Sequence, residues 1–146
     1  MSATNGFETS LLNLIFVNSN IANVGDATGL RGSTAAGSLH VSLHTADPGE
    51  AGDQTTSEAT YTSYARVAVA RTSGGWTVSG NNASNTAAVT FPAATGGTNT
   101  ITHFGIGTAA SGTGVLLFKG TLSASLAVSS GITPSFAIGE LDVNVD

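Results

Sequence analysis

The sequence predicts a mainly β chain: an antiparallel β-sandwich of jelly-roll or immunoglobulin-like type, preceded by one short N-terminal helix and an irregular arm. Three observations predict it. From Ser38 onward apolar residues recur at every second position, Gly, Ser and Pro turn signals fall at short intervals, and only one stretch carries helical spacing. Evenly spaced short strands belong to sandwiches and small barrels, not to alternating strand and helix units. At 146 residues the chain suits one domain. It reads as one folded unit, with a helix and arm over 1–37 and the sandwich over 38–146.

In the helix, Phe7, Leu11, Leu14 and Ile15 share one face, with Asn5 as N-cap, Glu8 completing a capping box, and an end near Val17 or Asn18. Ile21 to Gly37 carries Gly25, Gly29 and Gly32 among polar residues, which predicts an irregular arm long enough to reach a neighbouring subunit. Leu39, Val41 and Leu43 then alternate with His40, Ser42 and His44, predicting a half-buried strand that ends at the turn Asp47-Pro48-Gly49. A polar loop runs on to about Ser63. Further strands are expected at Tyr64 to Arg71, Trp76 to Ser79, Ala87 to Phe91, Thr100 to Gly107, Val115 to Lys119, Thr121 to Val128, Ser135 to Ile138 and Leu141 to Val145.

Composition narrows the chemistry. Only 9% of residues are charged, so Ser, Thr, Asn and 19 Gly supply the polarity, and such a weakly charged surface suits protein contacts. The net charge is −5, and Arg31, Arg66, Arg71 and Lys119 are scattered, which argues against nucleic acid as a partner. Without cysteine there is no disulfide, thiolate metal cage or cysteine nucleophile. The apolar run Leu11 to Val17 is too short to span a bilayer, and Met1-Ser2-Ala3-Thr4 lacks a basic n-region, so a product made in the cytoplasm with no membrane partner is expected.

No motif carries catalysis or a cofactor. His40 and His44 lie about 13 Å apart if on one strand, too far to share an ion. Gly105-Ile106-Gly107-Thr108-Ala109-Ala110 matches a dinucleotide fingerprint, but Ser111-Gly112-Thr113-Gly114 would break the helix it needs, so the glycines read as a β-turn and a bulge. Asp47, Glu50, Asp53 and Glu58 cluster without EF-hand spacing and read as a solvated or partner-facing acidic loop. Asn82-Ala83-Ser84 matches a glycosylation sequon and is given no weight.

The run Ser38-Leu39-His40-Val41-Ser42-Leu43-His44-Thr45-Ala46-Asp47-Pro48-Gly49, then Tyr64-Ala65-Arg66, resembles a family of small tailed-bacteriophage virion structural proteins. Thr90-Phe91-Pro92, Thr102-His103-Phe104-Gly105-Ile106, Leu116-Leu117-Phe118-Lys119-Gly120 and Gly131-Ile132-Thr133-Pro134-Ser135-Phe136 follow in the order such proteins show. Members are often labelled tail fibre proteins, and similar small β domains serve as capsid decoration or cement proteins. The resemblance implies no catalytic residues and many symmetric copies.

The leading expectation is therefore a non-enzymatic decoration or cement protein on the capsid exterior. It would bind the major capsid protein and copies of itself, a trimer among the options, through Phe7, Leu11, Leu14, Ile15, Arg31, Asp47, Glu50 and Asp53. The rival within the virion is a tail, collar or fibre-associated protein. From another class comes a carbohydrate-binding or glycan-active β domain, which would need two facing carboxylates.

Overall fold

The computed structural model describes residues 2–26 and 29–145. Among them the chain is mainly β, with 37% strand, 9% helix and antiparallel sheets. No described helix is long and apolar enough to cross a membrane. Two compact units form, one from Met1–Ser38, Val69–Ala88 and Phe136–Asp146, the other from Leu39–Ala68 and Val89–Ser135.

The first unit holds the helix α1 (Asn5–Val17) against a sheet of β3 (Trp76–Ser79), β4 (Asn82–Asn85) and β9 (Asp142–Asn144), in the order β3-β4-β9. Thr4 in extended conformation, not Asn5, is the N-cap, and its carbonyl accepts the amides of Phe7 and Glu8. The expected capping box does not form. Glu8 instead lies in the buried stripe Glu8, Leu12, Phe16, because the Phe16 ring sets its edge on Trp76 at 4.8 Å and turns that stripe inward. Phe7 is thus exposed, and Leu11, Leu14 and Ile15 are half-buried.

The helix stops where expected. Asn18 takes the left-handed conformation at φ 58°, and its side-chain amide pairs with both backbone groups of Ser33. Asn20 accepts the amide of Gly32, and Ile21 and Leu30 exchange two backbone bonds, so the arm folds back on itself. Arg71 then binds this turn to the helix end. Its guanidinium donates to the carbonyls of Leu14, Ile15 and Ala36 and to the Ser33 hydroxyl.

β4 was not expected, since Asn-Ala-Ser-Asn has little strand propensity. It is kept by Asn85, which is 2% exposed, donates to the carbonyls of Ala87 and Ala137 and accepts the amide of Leu141. Asn85 also accepts the Gly139 amide on its own carbonyl. The turn Ala137 to Glu140 is fastened from both sides, since the Glu140 carboxylate accepts the Ala137 amide.

The second unit is built on β1 (Ser38–His44), β6 (Asn99–Gly107) and β7 (Leu116–Val128), with β2 (Val67–Ala70) at the far edge, in the order β2-β1-β6-β7. A short ladder joins β5 (Val89–Thr90) to β8 (Ser135–Phe136). Leu39, Val41, Leu43, Phe104 and Ile106 are the apolar face. The expected break between two strands near Gly120 is absent, because β7 continues through it. The Phe104 ring fills the space a Cβ at Gly120 would take. β7 is irregular instead at two places. One extra residue, Leu117, sits against the Ile106–Gly107 step, and the four residues Leu122–Ser125 stand opposite Thr102 alone, between the pairs His103↔Thr121 and Ile101↔Leu126.

Candidate functional site

The opposite face of β1 and β6 carries polar groups, and the expectation that it meets solvent is wrong. Ser42 and His44 are completely buried. Directly opposite residues of an antiparallel ladder share a face, so His40, Ser42 and His44 stand beside Gly107, Gly105 and His103. A side chain at Gly105 would meet Leu116, His44 and Ser42 within 2.7 Å, and one at Gly107 would run into Gln54. Both glycines are therefore strand residues that make room for buried polar side chains, and the turn reading of them is corrected. Only the irregular step at Ile106–Gly107 agrees with the expected bulge.

The covering layer is the segment 45–66, which returns over this face. Thr45 and Ala59 donate to the carbonyls of Ser57 and Leu43. The His44 ring joins Ser42 Oγ at 2.8 Å through Nε2 and the Thr56 carbonyl at 2.9 Å through Nδ1. The carbonyl can only accept, so Nδ1 carries the proton and Nε2 accepts the serine hydroxyl. This is the hydrogen-bond pattern of an activated serine, held where no substrate reaches it. Gln54 is wholly buried, accepts the Ala109 amide through Oε1 and donates its backbone N–H to the Thr113 carbonyl.

Behind it lies an ion pair that sequence reading missed. Arg66, with a side chain 2% exposed, forks onto Glu58 at 2.6 and 2.7 Å and donates to the carbonyls of Ala109 and Gly112. Hydrogen bonding to Glu58 holds the guanidinium above its ordinary pKa. The Tyr64 hydroxyl donates to Glu58 and accepts the Leu43 amide, and burial pushes its pKa far upward. The sole hint in the sequence is an arginine two residues after a tyrosine on an otherwise apolar stretch, with nothing to name the partner.

The four acids expected to share one loop surface divide. Glu58 belongs to the partly buried pair with Arg66. Asp53 bonds Thr55 and Thr56 within its own turn, and the Thr55 hydroxyl chiefly lowers its pKa. Asp47 and Glu50 grip Lys119 at 3.0 and 3.2 Å. The Gly49 amide first, then Lys119, lowers the pKa of Asp47, and Lys119 is raised mainly by Asp47. No three His, Asp or Glu residues among those described converge on a metal position. Calcium should accordingly leave the melting temperature unchanged, and a calcium-dependent rise in a thermal melt would contradict this separation of the acids.

Between Gly49–Gly52 and the first residues of β7 opens a recess of about 230 Å³, with Leu116, Leu117 and Phe118 on one side and Glu50 and Lys119 at its rim. Of the expected contact residues, Glu50 lines this recess, Asp47 pairs with its Lys119, Arg31 is exposed on the arm, and the helix residues belong to the other unit.

Buried His44 and half-buried His40 predict a pH response. Burial, above all, lowers the pKa of His44, opposed by the Thr56 carbonyl and Glu58; burial and then Arg66 lower that of His40. The unfolded chain therefore binds more protons once the pH drops below about 6.5. Stability is full above that value and falls as acid is added. Melts from about pH 7.5 to about pH 5 should show a falling transition temperature, and a flat profile would remove the histidines from the account.

A family model described as podophage GP4 fiber I protein gp80 matches residues 2–144. No curated protein matches the chain.

Proposed function

Because the chain belongs to the podophage GP4 fiber I protein gp80 family, a family of phage virion proteins, we propose that it is a structural part of the fibre apparatus and acts by binding protein, not by catalysis. The observation that carries the fibre reading over head decoration is the family match across 2–144. Three features of the fold support a binding role. The Ser42–His44 pair is sealed, the acids are spent on internal partners or on Lys119, and the segment 45–66 is braced from beneath by Arg66. Braced loops on a rigid sheet present a contact surface at little cost in ordering.

Phe7, Leu11, Leu14, Ile15, Arg31, Asp47, Glu50 and Asp53 are the residues proposed to meet neighbouring virion proteins. Labelling of intact particles with an antibody to the chain, together with its copy number, tests the assignment. Label at the tail, in a small multiple of the tail symmetry, is the expected result. Label spread over the head in a number set by the capsid lattice would return the chain to a cement role, and particles lacking it would then release DNA at lower temperature.

A further inference from the structure

Residues 45–57 form a loop whose two ends touch. Thr45 donates both its amide and its hydroxyl to the Ser57 carbonyl, and Ser57 stands in the left-handed region at φ 55°, a strained conformation for a residue with a side chain. Beyond this neck the chain is fastened to the sheet. Ala59 bonds Leu43, Thr60 and Tyr61 bond the Asn99 side chain, Thr62 bonds Gly96, and Arg66 bonds Glu58, Ala109 and Gly112. Inside the neck the hold is lighter, since of residues 46–56 only Pro48 and Gln54 are buried. Gln54 bonds Ala109 and Thr113, but its Nε2 has no acceptor among the described residues, so opening the loop gives a buried donor access to water.

Beneath this loop lies His44, wholly buried, with its Nδ1–H on the carbonyl of Thr56, a loop residue. Lifting the loop bares that edge of the ring. A proton added to the closed form goes to Nε2, where the Ser42 hydroxyl can turn to accept it, but the resulting cation has neither water nor a free carboxylate. Its charged and titratable neighbours are His40 on β1, His103 opposite it on β6, Glu58, Tyr64 and Arg66 from the fastened segment, and Lys119 beside Gly105 on β7. Glu58 is already engaged by Arg66 and Tyr64, Lys119 is engaged by Asp47 and Glu50, and Arg66 and His103 repel the new charge.

We propose that residues 45–57 are an acid-operated lid: uptake of a proton at His44 releases this loop from the sheet as a unit, while residues 58–66 and the ladder of β1, β6 and β7 stay in place. Burial holds His44 below its ordinary pKa in the closed form, so the open form takes the proton first. The lid is therefore shut above about pH 6.5 and opens progressively as the pH falls below it. Hydrogen bonds within the loop and to Lys119 keep Asp53 and Asp47 below the usual carboxylate range, so their charge does not change over the same interval. The lid carries Asp47, Glu50 and Asp53, so acid would disperse a contact surface built on them. That consequence rests on the fibre reading; the lid itself does not.

Hydrogen exchange of the full-length chain, corrected for the intrinsic pH dependence of exchange, tests it between about pH 7.5 and about pH 5. Opening at the Thr45 and Gln54 amides should rise by up to about tenfold per pH unit below about 6.5, the slope of one proton, while the paired residues of β6 and β7 stay unchanged. His44→Gln should abolish the slope, and His40→Gln and His103→Gln should keep it. The His44 ring resonances of the unaltered protein give a measure that needs no variant: their titration should follow the opening of the loop. No slope, a slope shared by β6 and β7, a slope kept in His44→Gln or lost in either other variant, or a His44 titration at a different pH would each overturn the lid. Because the isolated chain is used, failure of the lid leaves the fibre reading standing, and label away from the tail leaves the lid standing.

Discussion

Replacing Arg66 with alanine is expected to cost about 2–3 kcal/mol of stability, because it strips a partly buried Glu58 carboxylate of its two-pronged, charge-assisted donor. Two further groups lose their donor at once, and a third is disturbed. The carbonyls of Ala109 and Gly112 lose their donor, and Tyr64 is left bonded to a carboxylate that must now be hydrated or protonated. Arg66→Lys should recover only part of the loss, since an ammonium cannot make the two-pronged contact. Urea denaturation of the three proteins gives the energies. Hydrogen exchange should place the loosening in residues 45–66 and 108–115. A loss below about 1 kcal/mol would mean that water reaches the pair and screens it, as at exposed ion pairs.

The second large effect is expected at Arg71, where alanine should cost about 3 kcal/mol by removing charge-assisted hydrogen bonds to the helix end and the arm. Arg71 meets carbonyls and a hydroxyl, so its contribution should persist in high salt, unlike that of an exposed ion pair. The carbonyls of Leu14 and Ile15 lie in the last turn of α1, where a cation also favours the helix dipole. Loss of helical circular dichroism before the β signal, on heating Arg71→Ala, would show that the damage stays in the first unit. Simultaneous loss of both signals would show the two units melting as one.

How legible these features were depends on where their partners lie. The helix end at Asn18 and the apolar face of β1 could be read because neighbouring residues decide them. The burial of Ser42 and His44 could not, since Thr56 and Gly105, which meet them, come from later in the chain. β4 was hidden for the same reason. Its polar residues look like loop until Asn85 finds Ala137 and Leu141 more than fifty positions on. Closeness in sequence also suggested one acidic surface, but Glu58 turns inward to Arg66 while Asp47 and Glu50 turn to Lys119. The helix face failed differently. Both stripes are apolar enough, and the choice between them is made by Trp76.

The two irregularities in β7 bear on how crowded copies avoid sticking. Its longest regular run opposite β6 is Phe118–Thr121, and no charge or proline follows between Gly120 and Gly131 to guard the edge. A straight, uncharged strand of that length would invite cross-β stacking, for which six or seven regular residues suffice. The break in pairing at Leu122–Ser125 interrupts the template before it reaches that length. Edge-to-edge aggregation is thereby expected to be held back by backbone shape, in a chain with too few charges to do it by repulsion.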